Sequence, residues 1–318
     1  MDICVRILDE VKKAIIGKDA VILKVFAAML AGGHILLEDI PGVGKTTLAL
    51  AFSKAMSLDY SRVQFTPDIL PSDIVGFSVP ERESGRMIYK RGAVICNLFL
   101  ADELNRATSR TQSALLEAME EKQVTVDGIS HPLPDPFIVI ATQNPVGAAG
   151  TQLLPDSQLD RFTVKLSIGY PDRQSETAML KEHRSNAVDT VSQVIDADGL
   201  ARLRRSVSQV YIADSIYDYI VASVAATRSH PLILRGASPR ASIALASTAR
   251  AMAWIHGRDY VVPEDMDSIY IDCMSHRVLL SPEGEERPGG AAAVLGSVLR
   301  SIPKPAIALP QNSRYMKG

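Results

Sequence analysis

Pro41-Gly42-Val43-Gly44-Lys45-Thr46 constrains this chain more than any other stretch. It follows the apolar run Ile35-Leu36-Leu37, which ends in Glu38, and it precedes a helical pattern of apolar positions. Strand, glycine loop and helix in that order set backbone N–H groups at a helix N-terminus, where they can wrap a triphosphate. Lys45 would reach the β- and γ-phosphates as a point charge, and the Thr46 hydroxyl would ligate Mg²⁺. The expected nucleotide cradle is therefore Pro41, Gly42, Val43, Gly44, Lys45, Thr46 and Thr47. The full pattern has a glycine five residues before Gly44, and Asp39 stands there instead.

A second segment supplies the chemistry that a phosphate loop lacks. Leu98-Phe99-Leu100-Ala101 is an apolar run ending in Asp102-Glu103, with Asp102 57 residues after Lys45. A buried strand that delivers two carboxylates at its C-terminal end suits hydrolysis of a magnesium nucleotide. Asp102 would hold the metal's water shell, and Glu103 would orient and polarise the attacking water. By itself the pair is equally a core strand meeting a solvated acidic turn. The phosphate loop upstream favours the catalytic reading. It requires the strand ends after Leu37 and after Ala101 to lie side by side.

Composition narrows the class. At 318 residues the chain has room for two domains and a sizeable core. Its 34 basic and 36 acidic residues leave a net charge of −2, with no global basic character to draw it to nucleic acid or an anionic membrane. Cys4, Cys96 and Cys273 lie far apart, which argues against a zinc site or a disulfide framework and suits small core thiols in a reducing cytoplasm. No apolar run reaches membrane-span length, and the N-terminal residues lack the order of a signal peptide. A cytoplasmic protein without membrane insertion is expected.

Helical spacing covers residues 3–15 and 19–31, interrupted at Gly17. Strands are expected at 35–37, 63–65, 97–101 and 137–141, with helices at 46–56 and 109–121. The strands are apolar throughout and alternate with helices, which implies a parallel sheet covered on both faces. Asp127-Gly128 between the β-rich runs 123–126 and 129–131 marks a hairpin. A second hairpin is expected over 77–92, turning at Glu83-Ser84-Gly85. After Tyr170-Pro171 only helical periodicity remains, roughly at 172–185, 197–207, 214–228, 239–256, 264–277 and 290–302, with Pro239, Pro263 and Pro282 at helix boundaries. The expected domains are 1–170 and 171–305, and a flexible, proline-rich tail follows over 306–318.

With these neighbours, the two nucleotide segments resemble the MoxR family of AAA+ ATPases over about residues 5–305. The resemblance rests on Leu36 through Thr46, Leu100 through Ala107, Thr111 through Glu121, Ala141-Thr142-Gln143-Asn144-Pro145 and Gln158-Leu159-Asp160-Arg161-Phe162. Ala237-Ser238-Pro239-Arg240 and Gly257 through Val261 extend it. It implies an α/β fold: an AAA+ P-loop domain with a five-stranded parallel sheet and inserted β-hairpins, followed by an all-helical lid.

The resemblance also implies roles. Asn144 would be sensor 1, an amide beside the water that Glu103 aligns; from residues alone it is equally a turn residue before Pro145. Arg161 would be an arginine finger reaching a neighbouring subunit's γ-phosphate; alone it is a surface arginine paired with Asp160. Arg240 would be sensor 2, in cis or in trans; alone it is an exposed first-turn arginine set against the helix dipole. Ile16 and Gly17 would pack the adenine, although Gly17 also suits a simple helix break. The two hairpins would be the helix-2 insert and the pre-sensor-1 hairpin. The implied function is hydrolysis of Mg-ATP in a ring, a hexamer, that remodels a protein client containing a von Willebrand factor A domain. The alternative is a DNA-acting AAA+ motor or loader, which the hairpin charges disfavour: Arg82, Arg86, Lys90 and Arg91 are offset in part by Glu81 and Glu83, and the second hairpin has only Lys122 at its base, set against Asp127.

Overall fold

The structure is a computed structural model that describes residues 2–40, 42–82, 84–144, 154–182 and 187–306. The tail expected from 306 onward lies almost wholly outside the described residues. Two helices, α1 (Asp2–Ala14) and α2 (Asp19–Leu30), lead into strand β1 (Ile35–Glu38) and helix α3 (Lys45–Ala55). Next come β2 (Tyr60–Gln64), the short α4 (Pro71–Val75) and the hairpin β3 (Gly76–Pro80) and β4 (Met87–Arg91). Strand β5 (Leu98–Asp102) runs into α5 (Ser109–Glu121), the second hairpin β6 (Gln123–Val126) and β7 (Ile129–Pro132), and β8 (Ile138–Gln143). A four-residue helix, α6 (Asp156–Leu159), then precedes β9 (Val164–Leu166).

Five strands form one parallel sheet in the order β2-β5-β8-β1-β9. Successive strand residues point to opposite faces, so the continuous apolar runs feed two cores at once. Leu98, Leu100, Ile138, Ile140, Ile35 and Leu37 enter the core shared with the helices that open the chain. Phe99, Ala101, Val139, Ala141 and Leu36 enter the opposite core, against Leu115, Leu116 and Met119 of α5. Every residue of β5 is buried, each large apolar side chain contributing about 1.5–3 kcal/mol.

This order corrects one expectation. The strand ends after Leu37 and after Ala101 are not adjacent, because β8 pairs with β1 on one side and β5 on the other. The phosphate-loop strand and the acid-pair strand therefore meet through the C-terminal end of β8, which delivers Thr142 and Asn144 between them. The second strand also begins earlier than expected, at Tyr60. The three-residue β9 is too short for periodicity to reveal.

The remainder is helical: α7 (Arg173–Glu182), α8 (Ala197–Ser208), α9 (Asp214–Ala226), α10 (Pro239–Ile255), α11 (Pro263–Met274), α12 (Pro282–Glu285) and α13 (Gly290–Ser301). Proline at the first turn starts α10, α11 and α12, where a missing N–H costs nothing. Ser238 caps α10, its hydroxyl accepting from Arg240 N–H. The region is not wholly helical: Ile233–Arg235 (β10) pairs antiparallel with Leu279–Leu280 (β11), linking the turns before α10 and after α11, and Tyr211 forms a parallel bridge with Tyr260. The three thiols are free and buried. Among the described residues no helix is long and apolar enough to cross a membrane.

Candidate active site

The glycine loop lies at the C-terminal end of β1, the usual ligand crevice of a parallel sheet. Gly42 and Gly44 have φ values of 86° and 95°, a conformation that a side chain would strain. Pro41 lies outside the described residues. Gly44 is the N-cap of α3, so Lys45, Thr46 and Thr47 form its first turn and present free N–H groups to the loop. The Lys45 ammonium donates to the Asp39 carbonyl at 2.7 Å and stands 3.5 Å from Asn144 Oδ1. Burial lowers its pKa, while the carboxylates of Asp102, Asp39 and Glu103 act in the opposite sense. A buried cation facing two acidic strand ends matches what a magnesium triphosphate would complete.

Asp39, which stands where the full pattern has its first glycine, is held through its side chain. Its carboxylate accepts from Ile168 N–H at 2.5 Å, Gly169 N–H at 2.9 Å and Ser167 Oγ at 3.1 Å. The side chain ties the loop to the segment after β9. Beside it a cavity of about 850 Å³ is lined by Ile15, Ile16, Lys18, Val43, Thr47 and Tyr170, among others. Ile16 thus reaches the cavity from the turn after α1. Gly17, at φ 73°, packs where a Cβ would overlap the Ser175 side chain.

At the end of β5 the acids diverge. Asp102 is buried and takes three bonds: Thr142 Oγ1 donates at 2.7 Å, and Arg62 donates through Nη2 at 2.7 Å and Nε at 3.3 Å. Glu103 leaves the strand in the left-handed region, at φ 57° and ψ 44°. Such a conformation costs about 1–3 kcal/mol at a residue other than glycine and collects at functional sites. Glu103 N–H donates to Thr142 Oγ1 at 2.9 Å, so one hydroxyl fixes both acids. The Glu103 carboxylate accepts from Arg106 at 2.7 Å and from Asn144 Nδ2 at 3.1 Å. The Arg106 hydrogen bond is the main reason that its pKa falls below the ordinary glutamate range. Lys45, Asp102, Glu103 and Asn144 therefore converge.

Arg161 and Arg240 do not join them. Both pair with Glu120 on α5, Arg161 at 3.0 Å, and Arg161 also donates to the Leu116 carbonyl. With Asp160, Thr163 and Ile243 they line a separate cavity of about 320 Å³. Among the described residues, no hydrogen bond or ion pair links either arginine to Lys45, Asp102, Glu103 or Asn144. Nor does Arg161 pair with its neighbour in sequence: Asp160 binds Arg277 instead.

Residues 34–164 match the family model described as the ATPase family associated with various cellular activities (AAA), and residues 225–295 match an AAA lid domain. Over 317 residues the chain is 35% identical to the chaperone MoxR1 of Mycobacterium tuberculosis, covering 96% of this chain and 84% of that protein. The chain belongs to the MoxR family of AAA+ ATPases. It is also 43% identical over 301 residues to YeaC, an uncharacterized protein of Bacillus subtilis, covering 94% of each chain. The crystal structure of a candidate ATPase from Cytophaga hutchinsonii superposes with a TM-score of 0.88 at 38% identity, covering 96% of each chain.

A MoxR-family chain is an ATP-hydrolysing P-loop enzyme, and the convergent residues fit that chemistry. Four polar residues join the site picture that the sequence reading left without a role. Thr142 and Arg62 brace Asp102, Arg106 binds Glu103, and Glu120 gathers the two outlying arginines. A threonine closing an otherwise apolar strand was the available signal for Thr142. Arg62, Arg106 and Glu120 read as ordinary surface charges until the strand order brings them to their partners.

Proposed function

We propose that this MoxR-family ATPase hydrolyses Mg-ATP at the subunit interfaces of a ring, a hexamer, and uses the energy to remodel a protein client. The observation that carries the reading is the division of the machinery. Lys45, Asp102, Glu103 and Asn144 meet in one place, and Arg161 and Arg240 share Glu120 in another. Two half-sites on one chain complete each other when copies assemble head to tail.

In this reading Lys45 and the N–H groups of residues 42–47 bind the triphosphate, and Ile16 and Gly17 flank the base. Thr46 and Asp102 would hold Mg²⁺, which would supply positive charge against the negative charge that develops on the phosphates. Glu103 orients the water once it is released from Arg106, and Asn144 fixes its carboxylate from the far side. Arg161 of the next subunit stabilises charge on the γ-phosphate. Arg240 acts in trans with it, because both arginines start from the same carboxylate.

For the client, the exposed side chains of Phe77, Met87, Ile88 and Ile129 on the two hairpins favour polypeptide over nucleic acid. Tyr89 stacks on His131 at 3.8 Å between ring centroids, joining the hairpins into one element. The similarity to a chaperone and the net charge of −2 point the same way. A client with a von Willebrand factor A domain, in the cytoplasm, remains the proposed case. The test is capture with the Glu103→Gln variant in ATP, together with ATPase assays with and without DNA. Retention of a protein of this class, with no stimulation by DNA, is expected. DNA stimulation at moderate salt without protein capture would instead select the DNA motor.

A further inference from the structure

Arg277 is a buried cation that the hydrolysis scheme does not use. It follows α11, and its side chain is only 3% exposed. All five of its N–H donors are engaged. Nε donates to Asp160 Oδ1 at 2.9 Å, and Nη2 donates to the Asp160 carbonyl at 3.2 Å and the Phe162 carbonyl at 2.6 Å. Nη1 donates to the Thr163 carbonyl at 3.1 Å and to the Cys273 carbonyl in the last turn of α11. Four of the five acceptors thus lie in residues 160–163, the stretch that contains Arg161.

Neighbouring groups extend this clasp. His276 Nε2 donates to the Phe162 carbonyl at 2.9 Å, so that oxygen receives two bonds from the lid. The other Asp160 oxygen accepts from Ser238 Oγ, the cap of α10, at 2.8 Å. Phe162 is fully buried. The backbone on both sides of Arg161 is therefore gripped by the helical region, while the Arg161 guanidinium points away, to Glu120 and the Leu116 carbonyl. Burying a guanidinium is costly unless every donor is met, and an apolar side chain would fill the same volume with less penalty. What an apolar residue cannot do is fix four oxygens of one short segment.

We propose that Arg277 is a positioning residue for hydrolysis in the neighbouring subunit: by holding residues 160–163 against the lid it sets where Arg161 stands at the interface. The inference rests on Arg161 acting in trans, as read above. It makes the finger a property of the donor's lid, so the lid of one subunit governs the rate at the next.

The distinguishing feature is that the defect belongs to the donor of the arginine and spares its own nucleotide site. Arg277→Lys keeps the charge but lacks the planar fork. Displacing a catalytic group by about 1 Å costs up to about 100-fold in rate. The expected result for Arg277→Lys is a kcat lower by about 10- to 100-fold with the KM for ATP unchanged. Mixing it with Glu103→Gln chains should restore activity above the sum of the two parts, because an intact Arg161 then faces an intact Glu103. The reference mixture is Arg161→Ala with Glu103→Gln. If the reference recovers and the Arg277→Lys mixture does not, the positioning role is overturned while trans action stands. If neither recovers, both readings fall. Should thermal unfolding show Arg277→Lys to be unfolded, Asp160→Asn replaces it, with the same mixing pattern and a smaller kcat loss; an unchanged kcat in that variant would overturn the proposal.

Discussion

Asn144 donates a hydrogen bond to Glu103 at 3.1 Å, across the gap between β8 and β5. Its other amide atom faces Lys45 at 3.5 Å, so one side chain touches both the lysine of the glycine loop and the second acid of the pair. This follows from strand order: β8 lies between the two strands that carry the nucleotide motifs. Arg106 holds the second Glu103 oxygen, so each oxygen of the carboxylate has a donor.

Thr142→Val tests the brace beneath the acids. Valine keeps the volume but removes the hydroxyl that donates to Asp102 and accepts from Glu103 N–H. Loss of a bond behind a metal-holding carboxylate costs roughly 10- to 100-fold in metal affinity or activity. The Mg²⁺ concentration that gives half-maximal ATPase activity should rise by about tenfold. An unchanged Mg²⁺ titration would detach Thr142 from the metal-holding role proposed for Asp102.

Arg106→Ala should move the pH profile. The Arg106 hydrogen bond is the leading cause of the lowered Glu103 pKa, so its loss lets that pKa rise toward the ordinary glutamate value. In the proposed scheme Glu103 must be ionised to orient water, so the acid limb of kcat against pH should shift to higher pH. A limb that stays in place would mean that another group sets it.

Two buried histidines make the fold sensitive to mild acid. His34 Nδ1 accepts from Val139 N–H at 3.0 Å and its Nε2 donates to the Met119 carbonyl at 3.3 Å, so the ring is neutral and burial pushes its pKa down to about 4. Burial also sends His276 well below its usual value. The unfolded chain binds these protons near pH 6.5, so the stability they contribute is complete above that value and is lost as pH falls toward 4. For His34 alone the loss between pH 7 and pH 5 is about 2 kcal/mol. Urea midpoints measured at pH 7, 6 and 5 should fall steadily; a flat series would contradict neutral burial of both rings.

Local sequence reveals what one segment decides alone. Strand-loop-helix around Lys45 and the apolar run into Asp102-Glu103 were legible because each is a complete chemical unit. The 109–121 helix and the 123–132 hairpin were legible by periodicity and by Asp-Gly. What stayed hidden depends on pairing between distant segments. Arg62 could not be tied to Asp102 before β2 was known to flank β5, nor Glu120 to Arg240, 120 residues away. Arg277 sits in a stretch without a motif, and its meaning comes entirely from the 160–163 carbonyls that it meets. The β10–β11 pairing joins segments too short to show alternation.

The central claim is that each catalytic centre takes Glu103 from one chain and Arg161 from another. It is tested by phosphate release per chain across a dilution series that spans assembly, for wild type and for Arg161→Ala. In trans, an arginine of this kind is worth about 10³- to 10⁵-fold in rate. Activity per chain should therefore climb with assembly in wild type and stay near the dilute value in Arg161→Ala. A wild-type rate per chain that holds constant down to the monomer, or an assembled Arg161→Ala protein as active as wild type, would contradict the account.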